Sequence, residues 1–209
     1  GTLYEFDPQD NTISVKHSFI QEDGTEFQGE LIEIDGQLYG VASFGGTYGG
    51  VIFEYDIATS AFMVRYNFSD DIIGFNPTTE LVLASNNLLY GITRSGGQFQ
   101  NGCIFNFNPQ SGVINNIHEF AYSHDEYESG SIMQASDGHL YGIIDSVYND
   151  DLTNTPRHIG YIYKYDLMSE TFSMLRQLDR YDGEWGIFGA LFEEPKVINV
   201  NSKCDSLNI

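Results

Sequence analysis

Four connecting segments of this chain set carboxylates beside an aromatic ring. They are "IQEDGTEFQ" (20–28), "SDDIIGFNPTT" (69–79), "AYSHDEYESG" (121–130) and "DRYDGEWGIF" (179–188). A ring can stack on the C–H face of a sugar while neighbouring acids accept its hydroxyl hydrogens. Clustered carboxylates are also the donor set of Ca²⁺, a hard cation that takes oxygen ligands. The candidate ligand-binding residues are therefore Trp185, Tyr127, Phe75 and Phe27, with Asp182, Glu184, Asp125 and Glu126. Asp150 and Asp151, within "DSVYNDDLTNTPRH" (145–158), are the candidate metal ligands. Trp185 ranks first, because it is the one tryptophan of the chain and tryptophan is prominent in binding sites. Against this stands a plainer reading, in which loop rings plug seams and loop acids solvate the surface.

Other chemistries find less support. The loops "SFGGTYGG" (43–50) and "SGGQFQNG" (95–102) are rich in glycine but lack the lysine and following helix of a phosphate cradle. They read as hinges in which glycine supplies a tight reversal. His17 and His118 occupy one repeated position, and His124, His139 and His158 share no zinc spacing. Neither H-E-x-x-H, C-x-x-C nor G-x-S-x-G occurs. Cys103 falls in a strand-like run and Cys204 in a polar tail, which favours a buried thiol and a tail cysteine over a disulfide. A glycosidase or lyase would need two facing carboxylates, and the acidic loops supply candidates without showing which of them face each other.

The elements that position these loops repeat. "GTLYEFDPQDNTISVKHSF", "GVIFEYDIATSAFMVRYNF", "GCIFNFNPQSGVINNIHEF" and "GYIYKYDLMSETFSMLRQL" begin at Gly1, Gly50, Gly102 and Gly160 and align without a gap. A second motif, Leu-Tyr-Gly, ends at Gly40, Gly91 and Gly142 and follows the apolar runs "ELIEI", "ELVLA" and "SIMQA". Each unit thus predicts four strands: apolar run, Leu-Tyr-Gly run, aromatic run, and a run closing near "HSF". Asp35-Gly36, Asn86-Asn87 and Asp137-Gly138 supply the turns between the first two. "SETFSMLRQL" has a helix-like composition, but its alignment with three β-like copies assigns it to a strand. A lone four-stranded meander has two faces and no second layer, so neighbours must cover it. The fold expected is all-β: a β-propeller of four-stranded antiparallel blades, about four in this chain. The aromatic positions Tyr4, Phe53, Phe105 and Tyr163 should pack blade against blade.

These units resemble the Gloeo/Verruco-type β-propeller repeat of large extracellular bacterial proteins. The resemblance rests on "LYGVASFGGTYGGVIFEYD", "LYGITRSGGQFQNGCIFNF", "DGHLYGIID" and the ending "VKHSF". It departs in the third copy, which lacks the paired glycines and carries the long insertion, and in the fourth, which lacks Leu-Tyr-Gly. The resemblance implies a propeller and an extracellular or cell-surface location, and no activity, because the repeat is a scaffold. Residues 1–196 form the repeat region and 197–209 a closing strand or a tail. A start at Gly1 and the unusual "VINV" (197–200) suggest an excerpt of a larger polypeptide; the alternative is a four-bladed ring closed by the two ends of the chain.

Charge narrows the partners. Thirty acidic residues against nine basic ones give a formal net charge of −21, which repels nucleic acid and anionic membranes. No apolar run is long enough for a membrane-spanning helix. The expectation is a non-catalytic binding or surface-display module for a glycan or a protein, with no required cofactor and Ca²⁺ as an optional ion. The alternatives are a carbohydrate-active enzyme and a structural spacer of a large adhesin.

Overall fold

The computed structural model describes residues 1–69, 72–120, 126–149, 156–178, 189–194 and 197–202. The chain opens with a hairpin, β1 (Thr2–Asp7) and β2 (Thr12–Ser18). After a single 3₁₀ turn (Gln21–Asp23) comes a meander of β3 (Thr25–Ile34), β4 (Gln37–Phe44), β5 (Val51–Asp56) and β6 (Phe62–Asn67). In the next unit the first run is split into β7 (Phe75–Pro77) and β8 (Val82–Leu83), both paired to β9 (Leu89–Ser95). β10 (Cys103–Phe107) and β11 (Ile114–Glu119) complete that sheet. A third meander follows: β12 (Glu126–Gln134), β13 (Leu140–Asn149), β14 (Pro156–Asp166) and β15 (Thr171–Leu178). A last hairpin consists of β16 (Gly189–Glu194) and β17 (Val197–Ser202). All strand pairs are antiparallel, and among the described residues there is no α-helix. The "SETFSMLRQL" run is strand β15, as its alignment required.

Turn chemistry sets the hairpins. Asp35 and Gly36 both have positive φ (52° and 81°), the signature of a two-residue turn between twisted strands. A second device recurs in all four aromatic runs. The register shifts between Leu3 and Tyr4, Ile52 and Phe53, Ile104 and Phe105, and Ile162 and Tyr163. In each case the closing run carries one extra residue, a bulge that sharpens the strand's twist.

The Leu-Tyr-Gly motif has a steric cause. Gly40 pairs with Phe53, Gly91 with Phe105 and Gly142 with Tyr163. A β-carbon would lie 2.3 Å from Phe53 Cζ, 2.5 Å from Phe105 Cζ and 2.3 Å from the Tyr163 hydroxyl. Each buried ring therefore crosses the neighbouring strand over a residue that has no side chain. The tyrosine of the motif is buried as well and anchored by its hydroxyl. Tyr39 donates to Glu54 Oε2 at 2.7 Å, Tyr141 donates to Asp137 Oδ2 at 2.7 Å, and Tyr90 accepts from Asn86 at 2.8 Å.

The end of each closing run grips the next unit. His17 stacks on Phe62 (ring centroids 3.9 Å, interplanar 7°), and His118 stacks on Phe172 (3.6 Å, 4°). In the seam between them the equivalent pair, Tyr66 and Ile114, packs against one core cluster. Phe19 lies edge-on to Phe53 at 5.3 Å and Phe68 to Phe105 at 5.2 Å. Phe120 shares a core with Tyr163. Aromatic contacts of this kind contribute about 0.5–1.5 kcal/mol each beyond the area they bury. The repeated aromatics are thus packing residues, and the two repeated histidines belong to the scaffold.

Two outcomes follow from these contacts. Gly91 does not have positive φ, so alanine there would ordinarily be neutral or mildly stabilising. Against the Phe105 ring, Gly91→Ala should instead cost about 1–3 kcal/mol in urea unfolding. Adding Phe105→Leu should recover part of that loss. Burial depresses the His118 pKa from 6.5 to about 4. Between those values the unfolded chain binds the proton and the folded chain does not. Stability contributed by neutral His118 is complete above pH 6.5 and falls as pH drops toward 4. His118→Tyr, the residue type found at position 66, should flatten that part of the stability–pH curve.

Candidate functional site

The antiparallel meanders send the glycine-rich loops and the unit-to-unit connections to one end of the sheets. There the first glycine-rich loop is bonded to the connections on both sides. Gly46 donates to Gln21 O at 2.9 Å, Gly49 donates to Phe68 O at 3.1 Å, and Asn76 donates to Gly49 O at 2.7 Å. A β-carbon at Gly45 would meet Gln21 O at 2.5 Å, and one at Gly50 would meet Ala42 O at 2.3 Å. Gly102 in the second loop approaches Thr93 O even more closely (1.9 Å for a built β-carbon). The Gly46 amide and the Gly49 carbonyl thus tie the loop to the connections before and after its own unit, which makes it a structural hub. Cys103, just after the second loop, is a buried thiol that donates to Ile73 O at 2.9 Å.

Two of the ring candidates at this end lie among the described side chains. Phe27 is half-buried, 4.2 Å from Phe19 and 5.7 Å from Phe53 in ring centroids. Phe75 meets Tyr48 of the glycine-rich loop edge-on at 5.5 Å. Asp23, an acid of the first connection, accepts from Ile20 N at 3.2 Å and lies 2.8 Å from His17 Nε2. Glu126 and Tyr127 open strand β12, paired with Val147 and Ser146. Asp125, Asp150, Asp151, Asp182, Glu184, Trp185 and Cys204 lie outside the described residues. Among the described residues no group of three or more His, Cys, Asp or Glu side chains is placed to hold a metal ion.

The opposite end carries a feature that sequence reasoning missed. A cavity of about 350 Å³ opens between the β3–β4 turn and the β10–β11 turn. Tyr39, Gln37, Asn87 and the segment Pro109–Gln110 contribute its polar groups. Beside it Arg65 pairs with Glu54, donates to Pro109 O at 2.9 Å and lies 5.9 Å from the centre of the Phe107 ring. Burial, and then the hydrogen bond to Glu54, push the Tyr39 pKa up to about 12. Tyr39 is therefore a fixed donor and not a proton shuttle near neutral pH. Gln37 donates to Asp56 at 2.7 Å, while its buried Oε1 has no hydrogen-bond partner among the described residues. The cavity could seat a small neutral polar molecule. Of the carboxylates nearest it, Glu54 is matched by Arg65 and Tyr39, and Asp35 lines the cavity from the exposed β3–β4 turn. The only sequence signal for this site is the conjunction of "DGQLYG" and "NPQSG", turns whose meeting requires knowing how the sheets stack.

Among the described residues no helix is long and apolar enough to cross a membrane, which leaves strands unaddressed. No curated protein matches this chain. Among solved structures, the crystal structure of TolB from Acinetobacter baumannii is similar, with a TM-score of 0.50 at 13% identity. The alignment covers 96% of this chain and 46% of the TolB chain, so these residues span less than half of that protein. At this identity the likeness concerns the fold, and it agrees with the propeller-type stacking of antiparallel sheets. The model of the Gloeobacter/Verrucomicrobia repeat matches residues 1–194. With the Leu-Tyr-Gly glycines under their rings and the closing-run aromatics gripping the next sheet, this chain belongs to the Gloeobacter/Verrucomicrobia repeat family.

Proposed function

We propose that this chain is a non-catalytic module of an exported β-propeller that binds or displays a glycan or a protein. The scaffold is uniform and its unit-to-unit connections are not, a division of labour typical of repeat proteins that bind through variable loops. One observation supports the non-catalytic part of the reading: Glu54, a partly buried carboxylate beside the cavity, is held in an ion pair with Arg65 and a hydrogen bond from Tyr39. Such a group supports structure and offers no free acid for glycosidic chemistry. Trp185, Tyr127, Asp182, Glu184, Asp125 and Glu126 are the proposed ligand contacts, and Asp150 and Asp151 the proposed Ca²⁺ ligands. A second reading, a spacer without a ligand of its own, is favoured by Phe27 and Phe75, whose rings pack on neighbouring aromatics.

The single tryptophan makes the test specific. The fluorescence of Trp185 is followed while CaCl₂, and separately a panel of neutral oligosaccharides, is titrated into the chain. The binding reading expects a saturable change for at least one probe, with Ca²⁺ in the range of about 10⁻⁴–10⁻³ M if it binds as in extracellular modules. Calorimetry on Trp185→Ala should then show binding of an oligosaccharide weakened by tenfold or more. Flat titrations with every probe would favour the spacer. Hydrolysis of any oligosaccharide during the titration would favour the enzyme.

A further inference from the structure

The first hairpin exposes the two rings whose counterparts in the three later aromatic runs are buried. Tyr4, Phe6, Ile13 and Val15 form one face of β1–β2, with Tyr4 opposite Val15 and Phe6 opposite Ile13. Their exposures are 61%, 51%, 66% and 63%, whereas the equivalent rings Phe53, Phe105 and Tyr163 are at 2%, 0% and 0%. Among the described residues β1 pairs with β2 alone, so its other edge offers unpaired backbone groups beside an apolar face. Such an edge is a template for another strand.

The other three units show what that strand must look like. In each, the strand beside the aromatic run places glycine opposite the ring, at Gly40, Gly91 and Gly142. The next residue in that strand, Val41, Ile92 or Ile143, is buried. The chain's own last hairpin fails on both counts. Leu191 pairs with Val200 as Ile132 pairs with Gly142, which sets Val200 at the glycine position and Asn201 at the buried apolar one. Pairing β17 to β1 in the register of the other units would bring a branched side chain to the place where a lone β-carbon already comes within about 2.5 Å of the equivalent ring.

We propose that β1 receives a β-hairpin of the repeat's own first-and-second-run kind, carried by a partner segment outside residues 1–209, whose second strand sets glycine opposite Tyr4. The β16–β17 hairpin, of this chain or of a second copy, is not that partner. Exposure identifies the face, the free strand identifies the edge, and the shared register identifies the glycine.

The test supplies the hairpin. Residues 30–44 of this chain are fused ahead of Gly1 through a flexible linker, and exchange of the β1 amides is followed in the full chain. Two controls are the same fusion carrying Gly40→Val within the added hairpin, and a fusion of residues 189–202. The proposal expects β1 exchange to slow at least tenfold with the glycine-bearing hairpin and to stay near that of the unfused chain with both controls. Three results would overturn it: equal protection from all three hairpins, no protection from any, or protection of β1 already present in the unfused chain. In the last case, dependence on protein concentration separates a second copy from closure by the chain's own β17.

Discussion

A ring lying across a glycine is the contact on which the rest of this structure depends. Phe53, Phe105 and Tyr163 are buried because Gly40, Gly91 and Gly142 leave room for them inside their own sheets. Burial of each such ring stabilises the fold by about 2–3 kcal/mol. Once flattened on its own sheet, the ring presents an apolar surface to the preceding unit. That surface is covered by the phenylalanine that closes the preceding unit's last run, and in two seams the histidine two residues before it stacks on Phe62 or Phe172 alongside. The sheet, the seam and the stacking order thus share one steric origin. Tyr4, the equivalent ring of the first hairpin, is exposed.

The sequence carried the outline of this design well. Gapless recurrence fixed the strand assignments, and it correctly overruled the helix-like composition of "SETFSMLRQL", now strand β15. Asp35-Gly36 announced its turn, and the repeated aromatics announced their role between units. Other features left no readable mark. Lys16, Arg65, Ile117 and Leu175 are the extra residues of the four bulges, and their types share nothing that would betray a common backbone irregularity. A bulge is a property of pairing, and pairing is invisible in one strand read alone. The split of the first run into β7 and β8 is likewise a tertiary outcome. Around it Thr79 is buried and its hydroxyl accepts from Ile92 N at 3.1 Å, taking the place of a ladder bond.

The candidate site was less legible than the fold. Acidic, aromatic loops could be located on one end of the sheets from strand alternation alone. Whether a loop ring faces solvent or a neighbouring ring depends on how units stack, and Phe27 and Phe75 are drawn into such contacts. The cavity beside Tyr39 joins two turns that are distant in sequence, so its polar lining could not be assembled from spacing. A net charge of −21 sits easily on this scaffold, because the core clusters of the described residues are built from rings and aliphatic groups. The surface is therefore free to vary with function while the seams are constrained.

The ring-over-glycine contact can be observed directly by proton NMR. Protons held over an aromatic face are shifted upfield, so the Hα resonances of Gly40, Gly91 and Gly142 should lie clearly upfield of those of Gly36 and Gly138, turn glycines with nothing within 4 Å of a built β-carbon. The upfield position of Gly91 should vanish in Phe105→Leu. If the three Leu-Tyr-Gly glycines resonate with the turn glycines, the rings do not cross the strands, and this account of how the repeat holds together is wrong.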